Sequence, residues 1–415
     1  MDIVRNKNAL MIVLSTFISA LGTGLHFIAS TWLIYEVTKS SISVGLFIAI
    51  SSIPGIITSP FTGVIVDRVN RKKIALSMDI FRALFVLLIP IIYSLDNNQL
   101  WILYIAAIFI TIGGNFFYPA MSGIIKSLPG EITLQVVSAN SSAIQLGMII
   151  GAGTSGFIVA TTSVHVLFYL NSFSFLLSAV FLLFVDYKSD SLHNSHHKIS
   201  FFKDFKEGLN YLAINKQLLF FSMIGIVSGG IVNLINSILS SYTVESLNAG
   251  VKTYGILDSL YAAGSVVMGF TLSIIKNKFS PQSIITISLL MMSICLEIIG
   301  ISSNLYMAGL GLFLLGAFIM LESVNRKTII IQNTSNEFIG RVESINWIMY
   351  SSVGPLIAVI TSFIANFIND RYVFSGFGIF VFLLSIMCYL TFKKKKVLNI
   401  KKSIWGDIND DSRNV

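Results

Sequence analysis

Apolar segments long enough to cross a membrane recur along the whole chain and are separated by short polar turns. An α-helix needs about 20 mostly apolar residues to span the hydrocarbon core of a bilayer. Of the 415 residues, 54% are hydrophobic and only 12% are charged, whereas soluble proteins carry about 25% charged residues. Because a soluble protein of this size must expose a large polar surface, the sequence predicts an all-α integral membrane protein.

Twelve such segments divide into two sets of six. The first six predicted helices cover residues 9–35, 43–66, 74–95, 101–123, 137–161 and 165–185. The second six cover residues 218–241, 253–275, 282–302, 305–325, 342–367 and 372–392. The predicted domains are a six-helix bundle at 1–186, a linker at 187–216, a second six-helix bundle at 217–392 and a basic cytoplasmic tail at 393–415.

The two halves and the linker between them carry further patterns. Gly45 matches Gly255 at an offset of 210 residues (255 − 45) and lies on the equivalent helix, which favours two pseudo-symmetric bundles. In the linker, Phe205, Leu209 and Leu212 recur at helical spacing. This spacing indicates an amphipathic helix that lies on the membrane face.

Lysine and arginine define the orientation, because cytoplasmic loops of membrane proteins carry an excess of both. If both termini are cytoplasmic, only Lys39, Lys252 and Arg371 of the 28 Lys and Arg residues lie on the outer side. The tail from Lys393 should contact anionic membrane lipids. Because the chain is also rich in Ile, Asn, Lys and Ser, as proteins from AT-rich bacterial genomes are, we expect a multi-pass protein of a bacterial cytoplasmic membrane with both termini inside.

The segment between the second and third predicted helices reads GVIVDRVNRK, from Gly63 to Lys72. It resembles the G-x-x-x-D-R-x-x-R-K signature of the major facilitator superfamily, with complete spacing and in the same cytoplasmic loop. The resemblance implies the major facilitator fold and a latch that holds the cytoplasmic side closed while the outer side is open. The latch residues would be Gly63, Asp67, Arg68, Arg71 and Lys72.

The residue types suit a latch. Gly63 would let two helices approach closely, and Asp67 could accept hydrogen bonds from a helix N-terminus, whose dipole favours an anion. The partner that the resemblance implies is the start of the eleventh predicted helix, near Arg341. The alternative is a basic loop that only sets topology, although such a loop would need neither Gly63 nor Asp67.

Within the superfamily, the chain most resembles the macrolide-efflux-like branch of twelve-helix drug exporters. The supporting features are the short first outer loop at 38–41, the pair Asp79 and Arg82, and the segment at 139–141. The glycine-rich segment at 147–156 resembles the fifth-helix motif of antiporters, where packing alone is an equal alternative. The chain lacks the fourth-helix arginine of many proton-driven exporters, so that coupling mechanism does not carry over.

This resemblance implies a secondary active transporter that exports a small amphipathic molecule, such as a macrolide-like drug, by alternating access and proton antiport. Export of an endogenous metabolite such as a metal chelator, or lipid flipping, stays open as an alternative.

The chain has no H-E-x-x-H, G-x-S-x-G or Walker motif. The absence of these motifs argues against an enzyme and for an ion gradient, of protons or another ion, as the energy source. Two related halves argue against a channel. We expect no cofactor, no metal, no nucleic-acid partner and a monomer.

Ionisable and amide side chains inside a bilayer are costly and are therefore functional candidates. The resemblance places the first, fourth, seventh and tenth helices around the central cavity. His26 could shuttle protons near neutral pH, or it could be a packing residue. Asp258 could titrate or attract a cation, or it could be a hydrated interfacial residue. The candidate proton and substrate pathway is His26, Asn115, Asn233, Asn236 and Asp258.

Two intrahelical ion pairs follow from spacing. Asp79 and Arg82 are three residues apart, and Glu322 and Arg326 are four apart, so each pair shares one helix face. Both pairs are predicted to be structural, and the second could also form part of a gate. The histidines at 193–197 have no carboxylate or cysteine partners at zinc spacing, so we interpret this segment as a solvated linker.

The predicted topology can be tested with reporter fusions. Fusions at Thr38, Asn248 and Asn369 should report the outer side, and fusions at Asn70 and Lys395 should report the cytoplasm, because of the Lys and Arg distribution. Paired reporters that are active only outside or only inside would measure this. The reversed pattern would remove the basis for a cytoplasmic latch.

Overall fold

The computed structural model of this chain describes residues 6–95, 99–187, 201–275, 280–335 and 338–411. Within these residues the chain is helical. The first half contains α1 (Lys7–Thr38), α2 (Ser41–Arg68), α3 (Arg71–Leu95), α4 (Trp101–Lys126), α5 (Gly130–Thr161) and α6 (Val164–Leu183). The linker contains α7 (Phe201–Ile214). The second half contains α8 (Lys216–Ser241), which continues into a π-helical turn (Tyr242–Ser246), α9 (Val251–Ile275), α10 (Pro281–Ile301), α11 (Leu305–Asn333), α12 (Ile339–Ala365) and α13 (Asp370–Asp411).

The prediction of twelve membrane-spanning helices is confirmed. Among the described residues, twelve helices are long and apolar enough to cross a bilayer, and α7 is not one of them. Helices suit this environment because their backbone groups are hydrogen-bonded within the segment. The longest extensions beyond the predicted spans are in three helices: α5 already begins at Gly130, α11 continues to Asn333, and α13 continues to Asp411 through most of the predicted tail. These extensions include charged and amide residues, at which a span predicted from hydropathy ends although the helix continues.

Helix contacts repeat between the halves. In the first half α1 packs on α5 and α3 packs on α4 and α6, and in the second half α8 packs on α12 and α10 packs on α11 and α13. The two most extensive contacts between the halves are α2 with α12 and α5 with α9. Each of them is the counterpart of the other when the helices of the first half are matched in order to those of the second. The major facilitator fold, with two pseudo-symmetric six-helix bundles, is therefore confirmed.

Helix α5 approaches two neighbours through glycines on two of its faces. A Cβ atom on Gly151 would lie 2.1 Å from the carbonyl oxygen of Leu21 in α1. A Cβ atom on Gly156 would lie 1.9 Å from the Cα atom of Gly255 in α9. Small residues allow helices in membranes to pack this closely, so the glycine-rich segment fixes α5 against both its own half and the other half.

We call the end of the bundle with Lys7 and the α2–α3 turn the near end, and the end with the α1–α2 turn the far end. The described contacts between the halves cluster towards the far end. The Tyr35 hydroxyl donates to Glu245 Oε1 over 2.8 Å, and the hydroxyls of Thr31 and Tyr254 are 3.2 Å apart. The two halves are thus held together at the far end.

Helix α7 packs against the start of α12. The rings of Tyr211 and Phe338 stack with centroids 4.4 Å apart, and Leu212 is buried in the core of the second half. A carboxylate oxygen of Glu207 lies 3.0 Å from Arg341 Nη1. The predicted amphipathic helix therefore has protein contacts with the second half, in addition to any contact with a membrane surface.

The glycine contact between α5 and α9 makes a stability prediction. Gly255→Leu should weaken far-end closure by about 1–3 kcal/mol, because the added side chain has no room beside Gly156. A cysteine at Thr31, which is buried in the closed arrangement, should then react faster with a maleimide supplied from the far side. Gly250→Leu is the matched control, since a Cβ atom there meets nothing within 4 Å. Equal labelling rates in both variants would contradict the prediction.

Candidate functional site

A pocket of about 380 Å³ lies between the two halves, near the middle of the helices that form it. Helices α2 and α4 of the first half and α8 and α12 of the second half supply its walls. The lining residues are Ser51, Ser52, Gly55, Thr111, Asn115, Asn233, Trp347, Tyr350, Ser351 and Pro355. Its volume falls in the range of about 300–1,000 Å³ that is typical of small-molecule sites.

The walls of this pocket carry amide and hydroxyl side chains, and local hydrogen bonds hold the amides in position. Asn115 Nδ2 donates to the Gly55 carbonyl oxygen over 3.0 Å and to Thr58 Oγ1 over 2.7 Å, which ties α4 to α2. Asn233 Nδ2 donates to the Gly229 carbonyl oxygen over 2.9 Å. A Cβ atom on Gly354 would lie 2.5 Å from that nitrogen, so glycine on α12 leaves room for the amide.

The pocket offers hydrogen-bonding groups and an aromatic surface. Its described lining has hydroxyls, amides, one indole and one phenol, and no carboxylate, lysine or arginine side chain. Trp347 is 46% exposed, so its ring is available for stacking. Since the halves meet at the far end and the pocket lies midway along the helices, the arrangement suits a site that is closed on one side.

Two of the predicted pathway residues, Asn115 and Asn233, are brought together in this pocket, and the others lie elsewhere. Asn236 is part-buried on α8 and is not among the lining residues. His26 is buried, with its ring centroid 5.7 Å from that of Phe168 on α6 and its Nε2 atom 3.3 Å from Ser30 Oγ. His26 thus faces the interior of the first bundle, and its part in proton transfer stays a prediction.

Asp258 lies one helical turn from the far-end contact between the halves, on its near-end side. It is buried on α9, one turn from Tyr254, whose hydroxyl meets Thr31 of α1. Within the described part of the chain its Oδ2 atom has no hydrogen-bond partner. Asp258 is therefore a buried carboxylate at the interface of the halves, separate from the lining of the pocket.

Two of the three basic residues of the predicted latch, Arg71 and Lys72, contact the first half. Arg71 Nη1 donates to the Gly123 carbonyl oxygen over 3.3 Å. Lys72 Nζ donates to the carbonyl oxygens of Leu183 and Val185, over 3.0 and 2.7 Å, at the end of α6, where a helix dipole favours a cation. Arg68 is exposed. These contacts hold the start of α3 against α4 and α6.

Gly63, Asp67 and the docking point on α12 are the remaining parts of the predicted latch. The surroundings of Gly63 and the side chain of Asp67 lie outside the described part of the chain. Arg341, near the predicted docking point, pairs with Glu207 of α7. The latch between the α2–α3 turn and α12 therefore stays a prediction.

Asp79 and Arg82 form a closed buried pair in the first bundle. Arg82 Nη2 hydrogen-bonds Asp79 Oδ1, and Ser178 Oγ donates to Asp79 Oδ2 over 2.6 Å. The guanidinium lies 4.5 and 4.3 Å from the ring centroids of Phe117 and Phe175. Both carboxylate oxygens are thus satisfied, and aromatic faces cover the cation.

Glu322 and Arg326 form a second buried pair, which reaches the pocket. Arg326 Nε donates to Glu322 Oε1 over 2.8 Å, and Arg326 Nη1 donates to the Tyr350 hydroxyl over 2.6 Å. Tyr350 is a pocket-lining residue. Helical spacing predicted the pair, but the contact with Tyr350 depends on how α11 packs against α12.

Sequence reasoning missed the pocket residues of α2 and α12. A signal was available, because Ser51 and Ser52 interrupt an otherwise apolar helix, as Ser351 does in α12. Trp347 and Tyr350 gave no such signal, since aromatic residues are common throughout the chain. Within the described residues, no group of three or more His, Cys, Asp and Glu side chains could hold a metal ion, and the histidines at 193–197 lie outside those residues.

Comparisons with known proteins agree with this architecture. Residues 4–390 match the family model described as transmembrane secretion effector. The MFS-type transporter YfiS of Bacillus subtilis is 33% identical over half of each chain. Macrolide efflux protein A of Streptococcus pyogenes is 20% identical, over 85% of this chain and 88% of that protein.

Two further similarities cover most of the chain. BacE of Bacillus subtilis, which is named as a candidate bacilysin exporter, is 27% identical over 76% of this chain and 78% of its own length. A crystal structure of the nucleoside transporter NupG superposes with a TM-score of 0.72 at 11% identity, over 93% of this chain and 99% of that one. At that identity the superposition shows the fold alone.

The first buried ion pair predicts a large stability effect. Asp79→Ala should lower the free energy of unfolding by about 3–5 kcal/mol, because it leaves the Arg82 cation buried without its partner. Glu343→Ala is the control, since its contact with Lys327 is 4.0 Å long and exposed and should contribute at most about 1 kcal/mol. Thermal unfolding in detergent would measure both. A similar loss in the two variants would contradict the interpretation.

Proposed function

Because this chain belongs to the transmembrane secretion effector family of the major facilitator superfamily, we propose that it is a secondary active exporter of a small amphipathic molecule. The observation that carries this proposal is the polar pocket between two halves that meet at the far end. A site between two bundles can be exposed to each side in turn when the bundles rock against one another. The far end would be the outer side of the membrane, with both termini in the cytoplasm.

The substrate is a neutral or weakly cationic molecule that forms hydrogen bonds. The pocket lining supports this because its described residues carry amides, hydroxyls and aromatic rings without a fixed charge. Trp347 would stack on an apolar face of the substrate, and Asn115 and Asn233 would orient its polar groups. Export as the direction is supported by the names of two relatives, one a macrolide efflux protein and one a candidate bacilysin exporter.

The energy source is an ion gradient, with proton antiport as the mechanism. The sequence contains no Walker motif that would bind a nucleotide. Several ionisable side chains are buried between or within the bundles, including His26, Asp258 and Glu322. Buried ionisable groups in membrane helices are candidates for proton transfer, and a monomer would be sufficient for this cycle.

Export of an endogenous metabolite is the second candidate function. It is favoured by the number of hydrogen-bonding groups in the pocket, which suits a compact polar molecule better than a large apolar drug. Comparing the culture media of cells with and without the protein would identify such a product. A panel of macrolides, starting with erythromycin, would test the drug alternative in the same strains.

The pocket makes a direct transport prediction. Ser351→Leu should reduce export about tenfold, because filling the pocket and removing one hydroxyl together cost about 1–3 kcal/mol of binding. Accumulation of the exported compound in energised cells would measure this, and a protonophore should abolish export in the native protein.

The matched control is Ser344→Leu on the same helix, where the side chain is exposed and does not line the pocket. Native export by Ser351→Leu at equal expression would show that the pocket is not on the transport route. Export that persists with the protonophore would contradict coupling to protons.

A further inference from the structure

The two buried ion pairs of this chain differ in how completely their charges are satisfied. In the first pair, both oxygens of Asp79 accept hydrogen bonds, from Arg82 and from Ser178. In the second pair, Glu322 Oε1 accepts from Arg326, and within the described part of the chain Glu322 Oε2 has no partner. Glu322 is 0% exposed, so this oxygen is buried without compensation, which is costly for a structural pair.

The second pair also differs from the first in being hydrogen-bonded to a residue of the pocket. Arg326 lies between the carboxylate and the pocket, because its Nε atom bonds Glu322 and its Nη1 atom bonds the Tyr350 hydroxyl. The guanidinium is 5.3 Å from the centroid of the Tyr350 ring. A continuous chain of hydrogen bonds therefore runs from a buried carboxylate to a wall of the pocket.

The surroundings hold Arg326 in this position. Helix α8 contributes Gly225, where a Cβ atom would lie 2.5 Å from Arg326 Nη1, so the glycine makes room for the cation. The titratable groups that face the pair are Tyr350 and Glu343 from α12 and Cys388 from α13. Glu343 itself lies 4.0 Å from Lys327, which partly balances its charge.

We propose that Glu322 carries the coupling proton of the transport cycle, and that Arg326 and Tyr350 are positioning residues that transmit its protonation to the pocket. This proposal rests on the proposed function. The proton comes from water on one side of the membrane and forms one O–H bond at the free Oε2 atom. That bond breaks later in the cycle, when the proton leaves to water on the opposite side.

The hydrogen-bond chain gives protonation a consequence at the pocket. With Glu322 ionised, Arg326 is neutralised and donates to the Tyr350 oxygen, so the phenol hydrogen is free to donate to a substrate. Once Glu322 is protonated, Arg326 keeps its charge without a counter-ion, and it must find new partners. Because the Tyr350 hydroxyl is bonded to that guanidinium, a shift of Arg326 to new partners displaces the hydroxyl at the wall of the pocket. Substrate and proton therefore favour different states of the pocket, as antiport requires.

The proposal can be tested without knowing the substrate. Spin labels on cysteines introduced at Lys126 and Asn333 would report the separation of the halves at the near end in the full-length protein. Both positions are exposed, and both native cysteines are buried. In the native protein, the ratio of open to closed populations should change with pH, by up to about tenfold per pH unit for one proton that binds the two states differently.

Glu322→Gln keeps the shape of the side chain and removes its titration. We expect this variant to lose the pH-dependent change, and Asp79→Asn, in the closed structural pair, to retain it. A pH response of native size in Glu322→Gln would overturn the proposal, as would a native protein without any pH response. Loss of the response in His26→Gln or Asp258→Asn, with retention in Glu322→Gln, would overturn it in favour of that residue.

A second variant keeps the test decisive if Glu322→Gln does not fold. Tyr350→Phe removes only the hydroxyl that connects Arg326 to the pocket, and we expect it to reduce the pH response at least about threefold. An unchanged response in folded Tyr350→Phe would overturn the relay. The comparison of culture media, made with the native protein, tests the exporter proposal separately from the coupling proposal. If the native protein exports a compound but Glu322→Gln keeps the native pH response, the coupling proposal is rejected and the exporter proposal stands.

Discussion

The close approach of helices through glycine is the contact on which the arrangement of the two halves depends. In a bilayer there is little hydrophobic gain from bringing two apolar helices together, so their association relies on close packing and hydrogen bonds. Gly156 of α5 and Gly255 of α9 meet almost backbone to backbone. Gly45 of α2 makes the pseudo-symmetric contact with α12, where its Cβ atom would lie 2.9 Å from the Ala358 carbonyl oxygen. Both contacts lie towards the far end, and the pocket lies on their near-end side.

Polar groups in the membrane interior have three different fates in this fold. The first ion pair is closed on itself between α3, α4 and α6, and it stabilises one bundle. The amides of Asn115 and Asn233 line the pocket between the bundles. Glu322 and Arg326 connect the interior of the second bundle to that pocket through Tyr350. Burial alone does not distinguish these fates, whereas the completeness and direction of the hydrogen bonds do.

At the near end, the linker helix α7 and the basic α2–α3 turn each contact helices of one half. Helix α7 stacks on Phe338 and pairs with Arg341 at the start of α12, so the linker is connected to one wall of the pocket. Lys72 holds the start of α3 to the end of α6. Each of these contacts at the near end stays within one half, which suits a mechanism in which the halves move relative to one another.

The sequence by itself determined the number of spanning helices, the division into two halves and the family, because hydrophobic length, internal similarity and the segment from Gly63 to Lys72 are local features. It also determined both ion pairs, since three- and four-residue spacing places side chains on one face. Only the tertiary structure decided which polar residues meet. Asn115 and Asn233 share the pocket while His26 faces Phe168, and Trp347 and Tyr350 line a wall that no local pattern marked. The reason is that the rotation of each helix about its axis is set by packing against neighbours distant in sequence, and that rotation directs a side chain to the pocket, the bundle interior or the lipid.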